Sequence, residues 1–584
     1  MKLRYLKLII FFAGIVSISS CKKFLDINKD PDRLPDSNAP IAQLLTSAQV
    51  NLGFEGGSDL FRFSTLIMQM MSGEASQPNQ TYNYYRYNIT STDQNNVWSS
   101  MNASTLSDLQ LIINQGGTSP YYTGVAKILK AYEVSKMVDT WGNVPYSQAQ
   151  QLTANTQPAY DDDAVIYPQL ILLLTDAISN LNAASSVLTP GTNSVMYTNA
   201  GNFILAKAQW IKLANTLKLR LLLHYSKLDP VFCVAQINAL VNSSGVTFMA
   251  SNADNFQMNF YDIAGQRSPI SAFEVSRPNY LFADRSMVER MNAKSDPRRP
   301  FYFSIFPINF TPFNVSTSAI SSGNTLTFAY SPSITAGYTA VAAGIPPFTI
   351  VRSATHTPAT SPTTTTVVLN DDETPGFSIA SIPSGTSIQF TPYYRGVSAA
   401  TPPINANNNY SRIHTFLRGA VTTPSSNGIN SAVYSGAAPQ RMLPYAEYCF
   451  IRAEAALMGA TATPLANAQA WYQAGITASM QEAGVLAADI TTYITANGTL
   501  SGTPANMLRQ IIEEKYIALF GVTNEPWNDW RRTGYPALSI PANAESGVSS
   551  VPRTLFYPQS EIDLNPNNPG QKAASLQDRV FWDN

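Results

Sequence analysis

The chain of 584 residues carries 37 Lys and Arg against 38 Asp and Glu, a formal net charge of −1, so the basic footprint of a nucleic-acid binder is absent. Charged residues make up only 13% of the chain while 45% is hydrophobic, about half the charge of an ordinary soluble domain. Neutral amides, hydroxyls and 29 Tyr must therefore supply the polar surface, which suits hydrogen bonding and stacking against an uncharged polar ligand better than steering an ion. The 27 Phe and 7 Trp provide for a large core and exclude disorder throughout. Length alone suggests roughly four domains at about 150 residues each.

The amino terminus reads as a secretory signal. Lys2, Arg4 and Lys7 precede an apolar run from Leu8 to Val16, too short to span a bilayer as a helix. The run ends in Ile18-Ser19-Ser20-Cys21, small residues ahead of a cysteine, which makes Cys21 the expected lipidated first residue, with a plain secretory signal as the alternative. Several acyl chains at about 0.8 kcal/mol per buried CH₂ are enough for stable anchoring. Cys233 and Cys449 remain; in an oxidising compartment they either form a bridge or stand as two buried thiols.

Few enzyme motifs survive inspection. The three cysteines and the three histidines, His224, His356 and His414, form no CxxC, HExxH or close ligand cluster, so neither a metal site nor a cofactor is expected. No GxSxG elbow occurs. Asp254, Asp262, Glu274 and Asp284 crowd one stretch, yet nothing in their spacing selects the acid and base of a glycosidase. The acidic and Asn-bearing tracts at 161–163 and 563–568 lack the pattern of an EF loop and read as cap and turn.

Helical periodicity is clear at four places. Ala206, Trp210, Leu213, Leu217 and Leu221 share one face. Asp161, Asp162 and Asp163 stand as a cap before Ile166, Leu170, Leu174, Ile178 and Leu181. Ala446, Phe450, Ala453 and Leu457 repeat the pattern after Pro444, and Leu508, Ile512, Tyr516 and Leu519 do so before Gly521. Between 301 and 440 charge falls away, and Leu326–Phe328, Phe348–Val351, Thr366–Leu369, Phe377–Ile379 and Ile388–Phe390 read as strands. Turns are signalled at Ser322–Asn324, Asp371–Gly376 and Pro383–Gly385. This stretch is either a β-rich insertion or a run of extended loops.

Several stretches resemble the SusD/RagB-like outer-membrane lipoproteins, and in particular their second subgroup. They are Cys21 to Pro31 (CKKFLDINKDP), Ala126 to Tyr132 followed by Val138 to Tyr146 (VDTWGNVPY), Trp210 to Leu222, Tyr445 to Gly459, Trp527 to Gly534 and Gln577 to Trp582. The resemblance implies a mainly α scaffold with tetratricopeptide-like helix pairs. Its parts would be a signal peptide at 1–20, a helical domain in two stretches at 21–300 and 441–584, and the insertion at 301–440. It also implies a lipid-anchored protein of the outer membrane, facing the exterior. Such a protein binds a glycan or other small polar nutrient and partners a SusC-like TonB-dependent transporter barrel, with no chemistry on the ligand. A secreted carbohydrate-active hydrolase, or a binder of peptide or another non-sugar nutrient, are the alternatives.

For the ligand, Gln77 to Asn88 concentrates rings, amides and one guanidinium without a carboxylate, a platform for the C–H faces and hydroxyls of a sugar. The expected ligand residues there are Gln80, Tyr82, Asn83, Tyr84 and Arg86. Read as an extended chain, Tyr82 and Tyr84 face one way and Tyr85 and Tyr87 the other. A second group, Arg277, Asn279 and Tyr280, follows from where the resemblance puts ligand loops. Trp98, Trp141, Trp210 and Trp527 read as core.

Overall fold

The computed structural model describes residues 39–73, 80–278, 280–305, 312–335, 338–346, 349–357, 363–370, 377–399, 410–423, 432–460 and 464–584. Cys21 and the segment around it, Asn279, Phe348 and the turn at 371–376 lie outside them.

Helices form wherever the apolar period is close to 3.6, and most of the body follows from that. In chain order the principal ones are α1 (Ile41–Gly56), α2 (Asp59–Ile67), α3 (Gln80–Tyr85), α4 (Ser107–Gln115), α5 (Pro120–Trp141), α6 (Asp163–Leu181), α7 (Phe203–His224) and α8 (Pro230–Val241). After α9 (Arg285–Ala293) come α10 (Tyr445–Leu457), α11 (Pro464–Ala483), α12 (Ala487–Asn497), α13 (Pro504–Ala518) and α14 (Glu525–Thr533). Helix α5 is buried on nearly every face, as expected of a helix at the centre of a bundle. Helices α4 to α8 each pack on the next, and α10, α11 and α13 form a second packed group.

Of the four expected helical faces the one on α7 is buried throughout, while Ile178, Leu457 and Leu508 on the other three are half-buried. Ala206, Trp210, Leu213, Leu217 and Leu221 are all buried. Asp162 caps α6 by accepting from the Ala164 N–H at 2.8 Å, while Asp161 accepts from the N–H groups of Tyr146 and Ser147, each at 2.9 Å. The four tryptophans Trp98, Trp141, Trp210 and Trp527 are core. Cys233 and Cys449 are both free and buried, and burial pushes each thiol up to about 12. The bridge is therefore absent, and of the two readings the isolated thiols are the one found.

A chain poor in charge places much of what it has inside. Arg220 on α7 forks onto Glu447 of α10, with Nε to Oε1 at 2.6 Å and Nη2 to Oε2 at 2.7 Å. Arg532 bridges Glu454 at 2.7 Å and Asp529 at 2.6 Å, and Lys515 reaches Asp529 at 2.8 Å. Arg298 holds Asp296 at 2.5 Å and Glu514 at 3.0 Å. Burial would raise the Glu514 carboxyl, but Lys294 and Arg298 hold it down to about 2. The Arg220–Glu447 fork and the Arg298–Glu514 pair cross between the two stretches of helical body and fix their register against each other, as does the antiparallel pairing of Phe256–Met258 with Gln440–Leu443.

The expected β-rich stretch is a lobe with its own core. Its strands are β1 (Phe313–Ser316), β2 (Thr325–Ala329), β3 (Tyr338–Val341), β4 (Ile350–Thr357), β5 (Thr364–Asn370) and β6 (Ser387–Pro392). They form one antiparallel sheet in the order β1-β6-β3-β4-β5-β2, accompanied by a short pair, Ser321–Gly323 with Ile379–Ile382. Leu326, Phe328, Val351, Val367, Ile388 and Phe390 pack together, apart from the core of the helical body. Period-2 alternation in β2 buries Leu326 and Phe328 and leaves the threonines outward. Gly323 and Gly385 sit at φ +70° and +84° in the turns the sequence marked.

Candidate functional site

The Tyr-rich segment does not run as an extended chain. Residues 80–85 form helix α3, so the two-sided alternation is replaced by helical geometry, and Tyr84, Tyr85 and Tyr87 all enter the core. Tyr84 lies against Phe63 at 4.5 Å between ring centroids and donates its hydroxyl to Asp93 at 3.0 Å. Tyr84 is thus a core residue, with no face presented to solvent. Packing drives the choice: all three rings are buried, Tyr84 against Phe63 of α2, and this outweighs the weak preference of an isolated tyrosine for strand. Tyr82, Asn83 and Arg86 are half-exposed on the remaining side, and Gln80 is exposed with its amide on the Tyr84 hydroxyl at 2.6 Å. Close approach requires Gly73, because a Cβ there would collide with the backbone of Tyr82.

The second group lies beside the first. Thr81 donates its hydroxyl to the Tyr280 carbonyl at 2.5 Å, so α3 and the 277–280 loop, far apart in sequence, are neighbours. Arg277 is exposed and lies 5.4 Å over the Phe273 ring. Phe282–Ala283 pairs with Met71–Ser72 and carries the chain from that loop to α9.

Tertiary packing adds a pocket that the sequence did not reveal. It has a volume of about 550 Å³, and its walls include Gln69, Asp284, Arg285, Glu289, Arg290 and Ser539. Ala537 and Ser539 form part of its rim, and the segment 537–545 ties it to the tyrosine segment. Gln69 donates to the Ser539 carbonyl. Arg290 Nη2 donates to the Ala537 carbonyl at 2.6 Å. Arg86 pairs with Glu545 at 2.6 Å, and Asn543 donates to the Tyr82 hydroxyl. The 537–545 segment thereby links the pocket's guanidinium, amide and carboxylate groups to Tyr82 and Arg86 of the tyrosine segment. The one sequence cue was Asp284, named among the crowded carboxylates.

Asp284 opens α9 by accepting from the Ser286 N–H at 2.7 Å. Burial pushes its carboxyl up to about 8, against the pull of the Ser286 N–H and the Tyr85 hydroxyl, so it is neutral over most of the physiological range. Burial likewise raises Glu289, which accepts from the Tyr393 hydroxyl at 2.9 Å. The other carboxylates of the crowded stretch have partners of their own: Asp254 takes Lys212 at 3.0 Å and Asp262 takes Arg267 at 2.7 Å. Glu274 lies 3.8 Å from Arg418, and burial pushes it up to about 7. Among the described residues no group of three or more His, Cys, Asp or Glu could hold a metal. His224 is buried between Tyr167 at 2.7 Å and Glu525 at 3.4 Å, a packing role.

The mainly helical body in two stretches is the part of this architecture shared with a known class of outer-membrane proteins. The chain belongs to the second SusD-like family, described as starch-binding and associating with the outer membrane, which it matches over residues 33–339 and 394–558. Solved structures agree on the fold. A chitin-binding protein shares 20% identity at a TM-score of 0.64, covering 93% of this chain and 100% of its own. A chitin-binding SusD homolog from Flavobacterium johnsoniae shares 19% at 0.62, covering 93% and 97%. A SusD homolog from Bacteroides fragilis shares 18% at 0.60, covering 90% and 94%. No curated protein sequence matches. The family match omits residues 340–393, which hold most of the β lobe.

Proposed function

We propose that the protein captures an oligosaccharide at the surface of the outer membrane, anchored through Cys21, and delivers it to a TonB-dependent transporter barrel without cleaving it. The carrying observation is the pocket of about 550 Å³, where Gln69, Arg285, Glu289 and Arg290 converge, linked through the 537–545 segment to the half-exposed Tyr82, whose hydroxyl accepts from Asn543. Sugars need that combination, since their C–H faces stack on a ring while their hydroxyls pair with amides and guanidinium groups. In this reading Tyr82, Asn83, Arg86 and, at the start of α3, Gln80 border the ligand, together with Arg277, Asn279 and Tyr280. Two relatives of the same fold are described as chitin-binding, which favours a saccharide over a peptide. Delivery to a barrel draws support from exposed apolar side chains on three successive helices. Val165 and Leu172 on α6, Ile204 and Leu205 on α7 and Val231 on α8 face solvent, Ile204 and Val231 at 78% and 79% exposure, as at the core of a protein interface.

Calorimetric titration with chitohexaose, maltohexaose and xylohexaose tests the binding, and incubation with the same sugars labelled at the reducing end tests the absence of cleavage. Saturable binding weakened by Arg290→Ala, with the sugar recovered intact, supports the reading. Release of shorter products would turn it toward a hydrolase. Mild-detergent purification should bring down a large β-barrel protein, and a solitary lipoprotein with the barrel present in the same extract would count against delivery.

A further inference from the structure

The β lobe meets the helical body across a second cleft, of about 810 Å³, within the usual range for small-molecule sites. Strands β3 and β6 form one wall, with Thr339, Val341 and Thr391. Arg299, Phe301 and the turn between α11 and α12 form the other. Nearly all of the strand wall falls in the 340–393 stretch that the family match omits.

Three features make this more than a gap between lobes. Arg299 is half-buried, and its Nε donates to the Asp296 carbonyl at 2.9 Å while Nη1 donates to Asn292 Oδ1 at 3.0 Å. Its guanidinium lies 5.4 Å over the Tyr394 ring. Among the described residues no carboxylate lies within ion-pair distance of it, and burial pushes its pKa down against the opposing pull of Tyr394 and Asp296. Phe301 is held at the cleft edge by the turn at Gly484, where φ is +88° and a Cβ would touch the ring at 3.5 Å. Leu486 and Val341 leave apolar surface open at 72% and 51% exposure, and Asp489 offers acceptors from α12.

We propose that this inter-lobe cleft is a second saccharide site, which takes a short segment of a neutral glycan chain. Apolar ring faces would lie on Phe301, Leu486 and Val341, and hydroxyls would pair with Arg299 Nη2 and with Asp489. Arg299 and the exposed Asp489 balance, and the second lining carboxylate, Asp296, is paired with buried Arg298, so the cleft selects a neutral chain over a polyuronate. The site is separate from the pocket proposed above: the two share no lining residue, and one wall of the cleft comes from the lobe.

The test is calorimetry with chitohexaose, maltohexaose and xylohexaose on the wild type and on variants at each site. Val341→Arg fills the cleft from an exposed position, and Asp489→Ala removes an exposed acceptor, so both should leave the melting temperature unchanged. The expected result is a binding event whose affinity falls about tenfold in each of these variants, while Tyr82→Ala and Arg290→Ala act on a different event. If cleft variants alone weaken binding, this site stands and the pocket reading falls. If binding is lost in Arg290→Ala and untouched by both cleft variants, the cleft proposal is overturned and the pocket stands. Absence of binding to all three sugars overturns both.

Discussion

Tyr393 donates its hydroxyl to Glu289 Oε1 at 2.9 Å, and the pair forms the partition between the two clefts. Glu289 belongs to the pocket on the tyrosine-segment face, and Tyr393 lines the cleft under the β lobe. Asn292, one turn on from Glu289 in α9, donates to the Tyr394 carbonyl at 2.9 Å. The end of the lobe is therefore latched to the helix that carries Asp284, Glu289 and Arg290. Tyr393→Phe removes one donor from a raised, mostly buried carboxyl and should cost about 1–3 kcal/mol, read as a lower denaturation midpoint. An unchanged midpoint would show that the latch is carried elsewhere.

The tyrosine segment divides cleanly by burial. Tyr84→Ala deletes a core ring and should cost about 3–5 kcal/mol. Tyr82→Ala, at a half-exposed ring, should cost about 1 kcal/mol or less and act on sugar affinity. Melting curves paired with titrations on the two variants separate the roles, and equal losses of stability would contradict the division.

Asp284 gives the fold a pH dependence of definite sign. Its folded pKa near 8 lies above the unfolded value of 3.8, so the folded state binds more protons between the two. Its contribution to stability is fully present below about pH 4 and is lost as pH rises toward 8, with a slope of at most about 1.4 kcal/mol per pH unit. Asp284→Asn keeps the side-chain acceptor for the Ser286 N–H and removes the titration. Relative to wild type it should gain stability at pH 8 and differ little at pH 4, as measured by urea midpoints across that range.

Lys515 is the shared cation for Glu525 at 3.3 Å and Asp529 at 2.8 Å. Lys515→Met leaves buried carboxylates with less compensation and should destabilise by about 3–5 kcal/mol. Replacing exposed Arg277 by Met, as a control, should change stability by about 0.5 kcal/mol or less.

Cys21→Ala should move the protein from the membrane fraction to the soluble fraction and abolish labelling by a fatty-acid analogue. Persistent, lipid-labelled membrane association of that variant would rule out Cys21 as the anchor.

Elements whose signal is local are legible in the residues alone. The spacing of Ala206, Trp210, Leu213, Leu217 and Leu221 specifies α7 and its buried face, the aspartates at 161–163 mark the start of α6, and the alternation at 326–328 with Gly323 marks a strand and its turn. Each depends on residues within a few positions of one another, where backbone geometry leaves little choice. Family signatures added the scaffold, because they are dense enough to be read without contacts. The tertiary structure alone decided that Gln80–Tyr85 is a helix with Tyr84 and Tyr85 inside, since rings with a free choice of local conformation follow the packing available to them. It also decided both clefts. Asp284 to Arg290 meets 537–545 at one, and Arg299 and Phe301 meet the strands of the lobe at the other; residues so far apart in the chain become neighbours only once the two cores have formed and packed.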